Sequence, residues 1–393
     1  MSQQLISRSA DLKRLQDDGY NLEVKDGYLL MQEIPYVNEQ QQVKRGVLVS
    51  KLDLAGDVTT TPSTHLIYFS GDYPCDRDGK PLAKIRHQSN AQALSSQITV
   101  NHSFSSKPKG GYKDFWEKLT TYAAILSSPA QSLDSKVSAK TFPAIEASEP
   151  DSVFNYQDTA SSRANICMLM EKFAQRRVAI VGLGGTGSYV LDLVAKTPVR
   201  EIHLFDKDTF SQHNAFRTPG APSIEQLRER PSKVAYLKKI YSAMRRGIFA
   251  HEIYLDSSNI DKIQEMDFVF LCIDLADAKP AILDGLEKFK VPFVDLGMGV
   301  EIVDNSLLGI LRVTAGNEDN LNLIKRENRI PMQKGAVDRA YSQNIQIADL
   351  NCLNAALAVV KWKKSLTFYL DLEREYHSTY TLDGNTLINE ACY

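Results

Sequence analysis

The sequence predicts an α/β protein with a mostly parallel sheet and helices on both faces, preceded by a smaller, β-rich α+β domain. Three observations carry this expectation. After Arg176 the chain alternates short apolar runs with helical segments, the order expected of strands joined by crossover helices. Those runs are apolar throughout, as strands covered on both faces are. Before residue 150 the chain reads instead as strands separated by turn pairs, and its 393 residues fit two domains. Residues 1–150 are therefore expected to form an accessory domain and residues 151–393 the larger one.

In the accessory domain, residues 27–31, 46–50 and 65–69 read as strands, with Asp26-Gly27 and Asp78-Gly79 as turns. A helix is expected over residues 114–126, with Phe115, Leu119, Tyr122 and Ala123 on one face. Residues 127–152, rich in Ser, Ala and Pro, read as a connector. In the larger domain, residues 178–181 form a buried strand, followed by a glycine turn and a helix through Leu193. Residues 202–205, 268–273 and 292–294 are further strands. A helix over about residues 345–370 closes the domain, with Leu350, Leu353, Leu357 and Val360 at helical spacing.

Composition narrows the function. Lys and Arg total 46 against 48 Asp and Glu, so no broad basic face for nucleic acid is expected. No apolar run approaches the ~20 residues of a membrane helix, and the first residues lack the apolar core of a secretion signal. Five cysteines, Cys75, Cys167, Cys272, Cys352 and Cys392, are scattered and form no C-x-x-C pair. Neither a disulfide framework nor zinc is expected, and a cytoplasmic location is.

The strongest motif is Gly182-Leu183-Gly184-Gly185-Thr186-Gly187, between a strand and a helix. Glycines let the backbone turn tightly against a phosphate, and the helix N-terminus offers unpaired N–H groups. The sheet is therefore expected to be Rossmann-like. Asp206 ends the next strand, where a carboxylate can accept hydrogen bonds from ribose hydroxyls. Nicotinamide enzymes and adenylating enzymes both use that pair, so it does not separate them. Asp206-Lys207-Asp208, Asn214-Ala215-Phe216-Arg217 and Lys233 do. Asn, Arg and Lys near the phosphates serve attack on the α-phosphate of ATP, where charge builds on phosphate oxygens and on leaving pyrophosphate. Asp274, at the end of the strand 268–273, stands where open α/β sheets bind ligands and can hold Mg²⁺.

Gly-x-Gly-Gly-x-Gly-Ser, Asp-x-Asp, Asn-x-x-Arg, Lys and Cys-x-Asp, in this order, resemble the ThiF/MoeB/ubiquitin-activating superfamily over roughly residues 160–315. The resemblance implies ATP-dependent adenylation of a carboxylate with release of pyrophosphate. The carboxylate it implies is the C-terminus of a ubiquitin-like or sulfur-carrier-like small protein, often ending in Gly-Gly. Carried over, Gly182, Gly184, Gly185, Thr186 and Gly187 cradle the nucleotide, with Asp208 in the same binding set. Asp206 binds ribose, Asn214, Arg217 and Lys233 bind the phosphates, and Asp274 binds Mg²⁺. The family also supplies an arginine from an N-terminal segment, frequently of a partner subunit, for which Arg163 is the best match. A homodimer and a downstream conjugating enzyme are implied as partners.

The chain also departs from that pattern. The family's Asp-Asn pair is here Asp274-Leu275, its zinc-binding C-x-x-C pairs are absent, and the crossover segment 314–342 holds no cysteine. A thioester step needs an exposed thiol with a depressed pKa. Cys272, in an apolar strand, and Cys352, beside Leu353 and Ala356, are expected in the core. Cys75, in a turn after Gly71-Asp72-Tyr73-Pro74, is the candidate nucleophile with an expected exposed thiol, although neighbouring acids would raise its pKa. The N-terminal domain is similar to the extra domain on bacterial ThiF-type proteins associated with ubiquitin-like conjugation or defence gene clusters. That likeness implies recruitment of a carrier protein or a recipient enzyme. Two other readings stay open: an NAD(P)-dependent oxidoreductase, and an inactive adenylation-fold scaffold suggested by Leu275.

Overall fold

The computed structural model describes residues 2–147, 152–273, 278–331 and 345–391. The chain divides into two compact units, Met1–Pro150 and Asp151–Tyr393.

The first unit opens with two short helices, α1 (Ser2–Arg8) and α2 (Ala10–Asp17), which sequence periodicity did not predict. A six-stranded sheet follows: β1 (Asn21–Lys25), β2 (Tyr28–Val37), β3 (Val43–Lys51), β4 (Leu66–Ser70), β5 (Arg86–Gln88) and β6 (His102–Ser105). Its order is β1-β2-β3-β4-β6-β5, antiparallel throughout. Asp26 (φ 50°) and Gly27 (φ 77°) are both left-handed and close the β1–β2 hairpin, the turn that matches strand twist. Helix α3 (Phe115–Leu133) starts where the Asp114 carboxylate accepts from the Glu117 N–H at 2.7 Å. It buries Phe115, Leu119, Tyr122 and Ala123 in the core of this unit.

Residues 127–133 correct the expected connector, because α3 runs on through Pro129. Proline removes one backbone donor, yet burial of Leu126 and Ala130 holds the extra turns in place. The Ser127 and Ser128 hydroxyls donate back to the carbonyls of Ala123 and Ala124, keeping these serines inside the helix.

The second unit begins with β7 (Arg177–Val181), α4 (Gly185–Ala195), β8 (Glu201–Phe205), α5 (Gln212–Ala215), α6 (Lys233–Tyr241) and β9 (Ile248–His251). It continues with β10 (Phe268–Leu271), α7 (Lys279–Phe289), β11 (Phe293–Val303), β12 (Ser306–Gly316), α8 (Leu321–Arg326), α9 (Ala348–Ser365), β13 (Glu375–Thr381) and β14 (Thr386–Ala391). The eight strands lie in the order β9-β8-β7-β10-β11-β12-β13-β14. From β9 to β11 neighbours are parallel, and from β11 to β14 antiparallel. Val178 and Ile180 join one core with α4, α6 and α9, whereas Ala179 and Val181 join another with α7 and α8. The sheet is Rossmann-like and covered on both faces, and its strand order reverses between β7 and β10, where a ligand crevice forms.

Two expectations need correction. Helix α9 does not close the domain, since β13 and β14 follow it. Helix α9 also turns a different face inward. It buries Leu350, Asn351, Asn354, Ala355, Ala358, Val359, Lys361 and Trp362, while Val360 is 41% exposed. Asn354 and Lys361 pass inside with partners for their donors: the Asn354 amide donates to the Gly297 carbonyl at 3.1 Å and Lys361 to the Glu375 carbonyl at 3.0 Å. No helix among the described residues is long and apolar enough to cross a membrane.

Candidate functional site

The glycine turn joins β7 to α4 at the strand reversal, and each glycine is there for a different reason. Gly182 has φ +87°, and a Cβ there would lie 2.6 Å from the Cys272 carbonyl oxygen. At Gly187 a Cβ would sit 1.9 Å from the Gly182 carbonyl oxygen, so helix and turn pack too closely for any side chain. At Gly185 it would meet the Asn351 amide at 2.1 Å. Gly184 differs: a Cβ would find only Gln346 Oε1, at 4.0 Å. Among the described residues nothing crowds a side chain at 184, so the turn has room there for a group to approach it.

A hydrogen-bonded network ties that turn to the end of β8. Asp206, almost fully buried, accepts from the Leu183 N–H at 2.7 Å and from the Asp208 N–H at 2.8 Å. Lys233, at the start of α6, lies 2.6 Å from Asp208 Oδ2 and 3.5 Å from Asp206 Oδ2. Its own N–H donates to the Asp208 carbonyl at 2.9 Å, so two bonds fix the lysine against the Asp-x-Asp segment. The Tyr254 hydroxyl donates to the other Asp208 oxygen. Partial burial pushes the Asp208 carboxyl up, but the Lys233 ammonium, the Tyr254 hydroxyl and the Arg217 charge outweigh it and hold it below its ordinary value.

Asn214 and Arg217 come from α5 and the residues just after it. Ser211 and Asn214 form a capping box, in which Asn214 Oδ1 accepts from the Ser211 N–H at 2.8 Å. The Asn214 Nδ2 group is buried without a hydrogen-bond partner among the described residues. Such a donor is costly unless a ligand completes it. The Asn351 side chain links this segment to the glycine turn: its Oδ1 accepts from the Thr186 hydroxyl at 2.8 Å, and its Nδ2 donates to the Arg217 carbonyl at 3.4 Å. Burial, and then the positive charges of Arg217 and Lys233, hold the His213 imidazole below its ordinary pKa. Arg217 and Lys233 thus bring two positive charges beside the Asp206 and Asp208 carboxylates.

The structure thus gathers Gly182 to Gly187, Asp206, Asp208, Asn214, Arg217 and Lys233 at one end of the sheet. Arg163 ends the short helix Thr159–Arg163 and is exposed. Asp274, the residue expected to hold Mg²⁺, lies outside the described residues, as do Leu275 and Cys392. Among the described residues no group of three or more His, Cys, Asp or Glu is arranged to hold a metal ion. Asp206 and Asp208 do not fit that task, since their oxygens face backbone N–H groups, Lys233 and Tyr254. Sequence reasoning missed Asn351 and Tyr254, whose contacts join segments far apart in the chain.

The cysteine expectations change. Cys75 is 1% exposed, paired through its backbone with Val37 and Pro81. Burial first, then Glu39 and Asp76, push its thiol pKa up. Extended backbone pairing draws this turn inward, so Cys75 does not present an exposed thiol for a thioester. Cys352 is exposed, because the inward face of α9 passes through Asn351 beside it. Cys272 is half-buried and packs against the larger core.

Residues 157–302 match the model of the ThiF family, and residues 10–159 match a domain of unknown function, DUF6791. The chain is 24% identical over 159 residues to ubiquitin-like modifier-activating enzyme 5 of Drosophila mojavensis, a match covering 38% of this chain and 40% of that protein. It is 21% identical to the Aedes aegypti enzyme of the same name, with the same coverage. The match thus spans less than half the length of these curated relatives. Among solved structures, the chain is similar to E. coli MccB with ATP, at TM-score 0.42 and 17% identity over 59% of this chain and 69% of that one. It is also similar to the E. coli tRNA N6-threonylcarbamoyladenosine dehydratase TcdA in complex with AMP, at TM-score 0.39 and 18% identity over 53% and 93%.

Proposed function

We propose that the ThiF-family domain, residues 157–302, uses ATP to adenylate a carboxylate and releases pyrophosphate. A carboxylate oxygen attacks the α-phosphorus, a new O–P bond forms, and the bond from that phosphorus to the bridging oxygen breaks with the electron pair leaving on pyrophosphate. One observation carries this reading: Lys233 and Asp208, 2.6 Å apart, stand beside the ribose-type carboxylate Asp206, with Arg217 adding positive charge. A hydride-transfer site needs the glycine turn and Asp206 but not this concentration of cations.

In this reading the open side of Gly184 and the N-terminus of α4 receive the phosphates. Asp206 accepts from the ribose hydroxyls, and the unpartnered Asn214 amide donates to a phosphate oxygen. Arg217 and Lys233 bind the triphosphate and stabilise charge moving towards pyrophosphate. Mg²⁺ would arrive with ATP and neutralise phosphate charge, and Asp274 is the residue assigned to it. The acyl substrate is the C-terminal carboxylate of a ubiquitin-like or carrier-like small protein, and a downstream conjugating enzyme would take the activated product. The proposed assembly is a cytoplasmic homodimer, with Arg163 reaching the site of the other subunit. The first unit would recruit the carrier protein or the recipient enzyme. Calorimetry with the full chain tests the nucleotide choice: ATP–Mg²⁺ should bind at micromolar levels and NAD⁺ should not. Preference for NAD⁺ would replace adenylation with hydride transfer.

A further inference from the structure

Lys233 is held between two carboxylates, and what decides between them lies elsewhere in the chain. Asp208 is about half exposed, with its side chain at 47%, so packing alone does not fix its rotamer. Tyr254 supplies the fixing contact. It follows β9, at the edge of the sheet, and its hydroxyl donates to Asp208 Oδ1 while Lys233 occupies Oδ2. The tyrosine is itself anchored, because Asn259 Nδ2 donates to its carbonyl at 3.0 Å and Asn259 Oδ1 accepts from the Asp256 N–H at 3.1 Å. A closed turn therefore presents the phenol to the Asp-x-Asp segment.

We infer that Tyr254 is a positioning residue for nucleotide binding, acting through Asp208 to keep the Lys233 ammonium nearer to Asp208, at 2.6 Å, than to Asp206, at 3.5 Å. The inference rests on the adenylation-site reading above. With the hydroxyl in place, Asp208 stays turned towards Lys233 and Asp206 keeps its oxygens for the turn and for ribose. Without it, Asp208 can swing into solvent, and Lys233, already 3.5 Å from Asp206 Oδ2, closes on that carboxylate. Asp206 would then be neutralised where ribose should bind, and Lys233 would be withheld from the phosphates. Tyr254 thus sets how readily the site accepts a nucleotide, and its effect passes entirely through Asp208.

Asp208 is faced by Lys233 from α6, by Tyr254 from the turn after β9, by Arg217 from beyond α5, and by Asp206 on its own segment. Removing the hydroxyl lets the Asp208 carboxyl rise towards its ordinary value. As pH falls, Asp208 then protonates sooner and releases Lys233 at a higher pH.

The test measures ATP dissociation constants by calorimetry for the full chain, Tyr254→Phe, Asp208→Asn and the double variant, between pH 5 and 8. Tyr254→Phe should weaken ATP binding about five-fold, the size of one lost hydrogen bond, and move its acid limit to higher pH. Asp208→Asn should weaken binding at least as much, and adding Tyr254→Phe to it should change nothing further. Unchanged binding in Tyr254→Phe overturns the inference, as do losses that simply add in the double variant, because the tyrosine would then act independently of Asp208. If the unsubstituted chain binds no ATP, the adenylation reading falls first and the inference with it.

Discussion

Asn351 occupies the space that any side chain on Gly185 would need: a Cβ there would lie 2.1 Å from the Asn351 amide nitrogen. Helix α9 therefore helps hold the glycine turn in shape, across 165 residues of sequence between Asn351 and Thr186.

Gly184→Ala and Gly185→Ala should fail in different ways. Alanine at 185 displaces a buried amide and should cost about 1–3 kcal/mol of stability, the usual range for overpacking. Alanine at 184 meets only Gln346 Oε1, at 4.0 Å, among the described residues and should change stability by less than about 0.5 kcal/mol, yet weaken ATP binding about ten-fold by blocking approach to the turn. Urea unfolding and calorimetry on both variants separate the two effects. Equal loss of stability in both would mean that Gly184 is also there for packing.

His377 should make the second unit acid-sensitive. Burial first, then Arg312, Arg329 and Lys361 against the opposing pull of Glu390, lower its imidazole pKa to about 4. Its Nδ1 lies 2.9 Å from the Thr314 hydroxyl. A depressed folded pKa means the unfolded chain takes up the proton first. Stability is then whole above about pH 6.5 and drains away as pH falls towards the folded value. His377→Asn should unfold at lower urea than wild type at pH 7.5, with the gap narrowing at pH 5. A gap of constant width would remove His377 as the source.

Thiol reactivity should follow exposure. Cys167 and Cys352 are exposed while Cys75 is buried with a raised pKa, so a soluble alkylating reagent should modify the first two well before Cys75. Peptide mass mapping of partly modified, folded protein gives the order. Early modification of Cys75 would restore it as a candidate nucleophile.

Much of this was legible in the sequence for a physical reason. Residues 178–181 of β7 and the whole of β10 are covered on both faces, so each appears as an unbroken apolar run, whereas His203 interrupts β8. The glycine turn, Asp206 and Lys233 stand at intervals that the strand–turn–helix geometry dictates. The rest depends on distant contacts. β14 is exposed along most of its length and carries no apolar run to announce it. Four aliphatic residues at helical spacing suggested the buried face of α9, but polar partners elsewhere in the unit draw Asn354 and Lys361 inward. The Cys75 turn looked solvent-facing until backbone pairing to Val37 closed it. Tyr254 meets Asp208 from 46 residues away, a distance over which no local period speaks.

Pyrophosphate exchange tests the central claim most directly. The full chain, ATP–Mg²⁺ and a panel of small proteins ending in Gly-Gly should return labelled pyrophosphate to ATP with at least one member of the panel. Arg217→Ala should slow that exchange by ~10²–10³, about 3–4 kcal/mol, the cost of losing one preorganised contact to developing charge. Extra Mg²⁺ should not restore it, since an ion cannot replace a directional guanidinium contact. Exchange absent with every member of the panel, together with micromolar binding of a nicotinamide cofactor, would contradict the account.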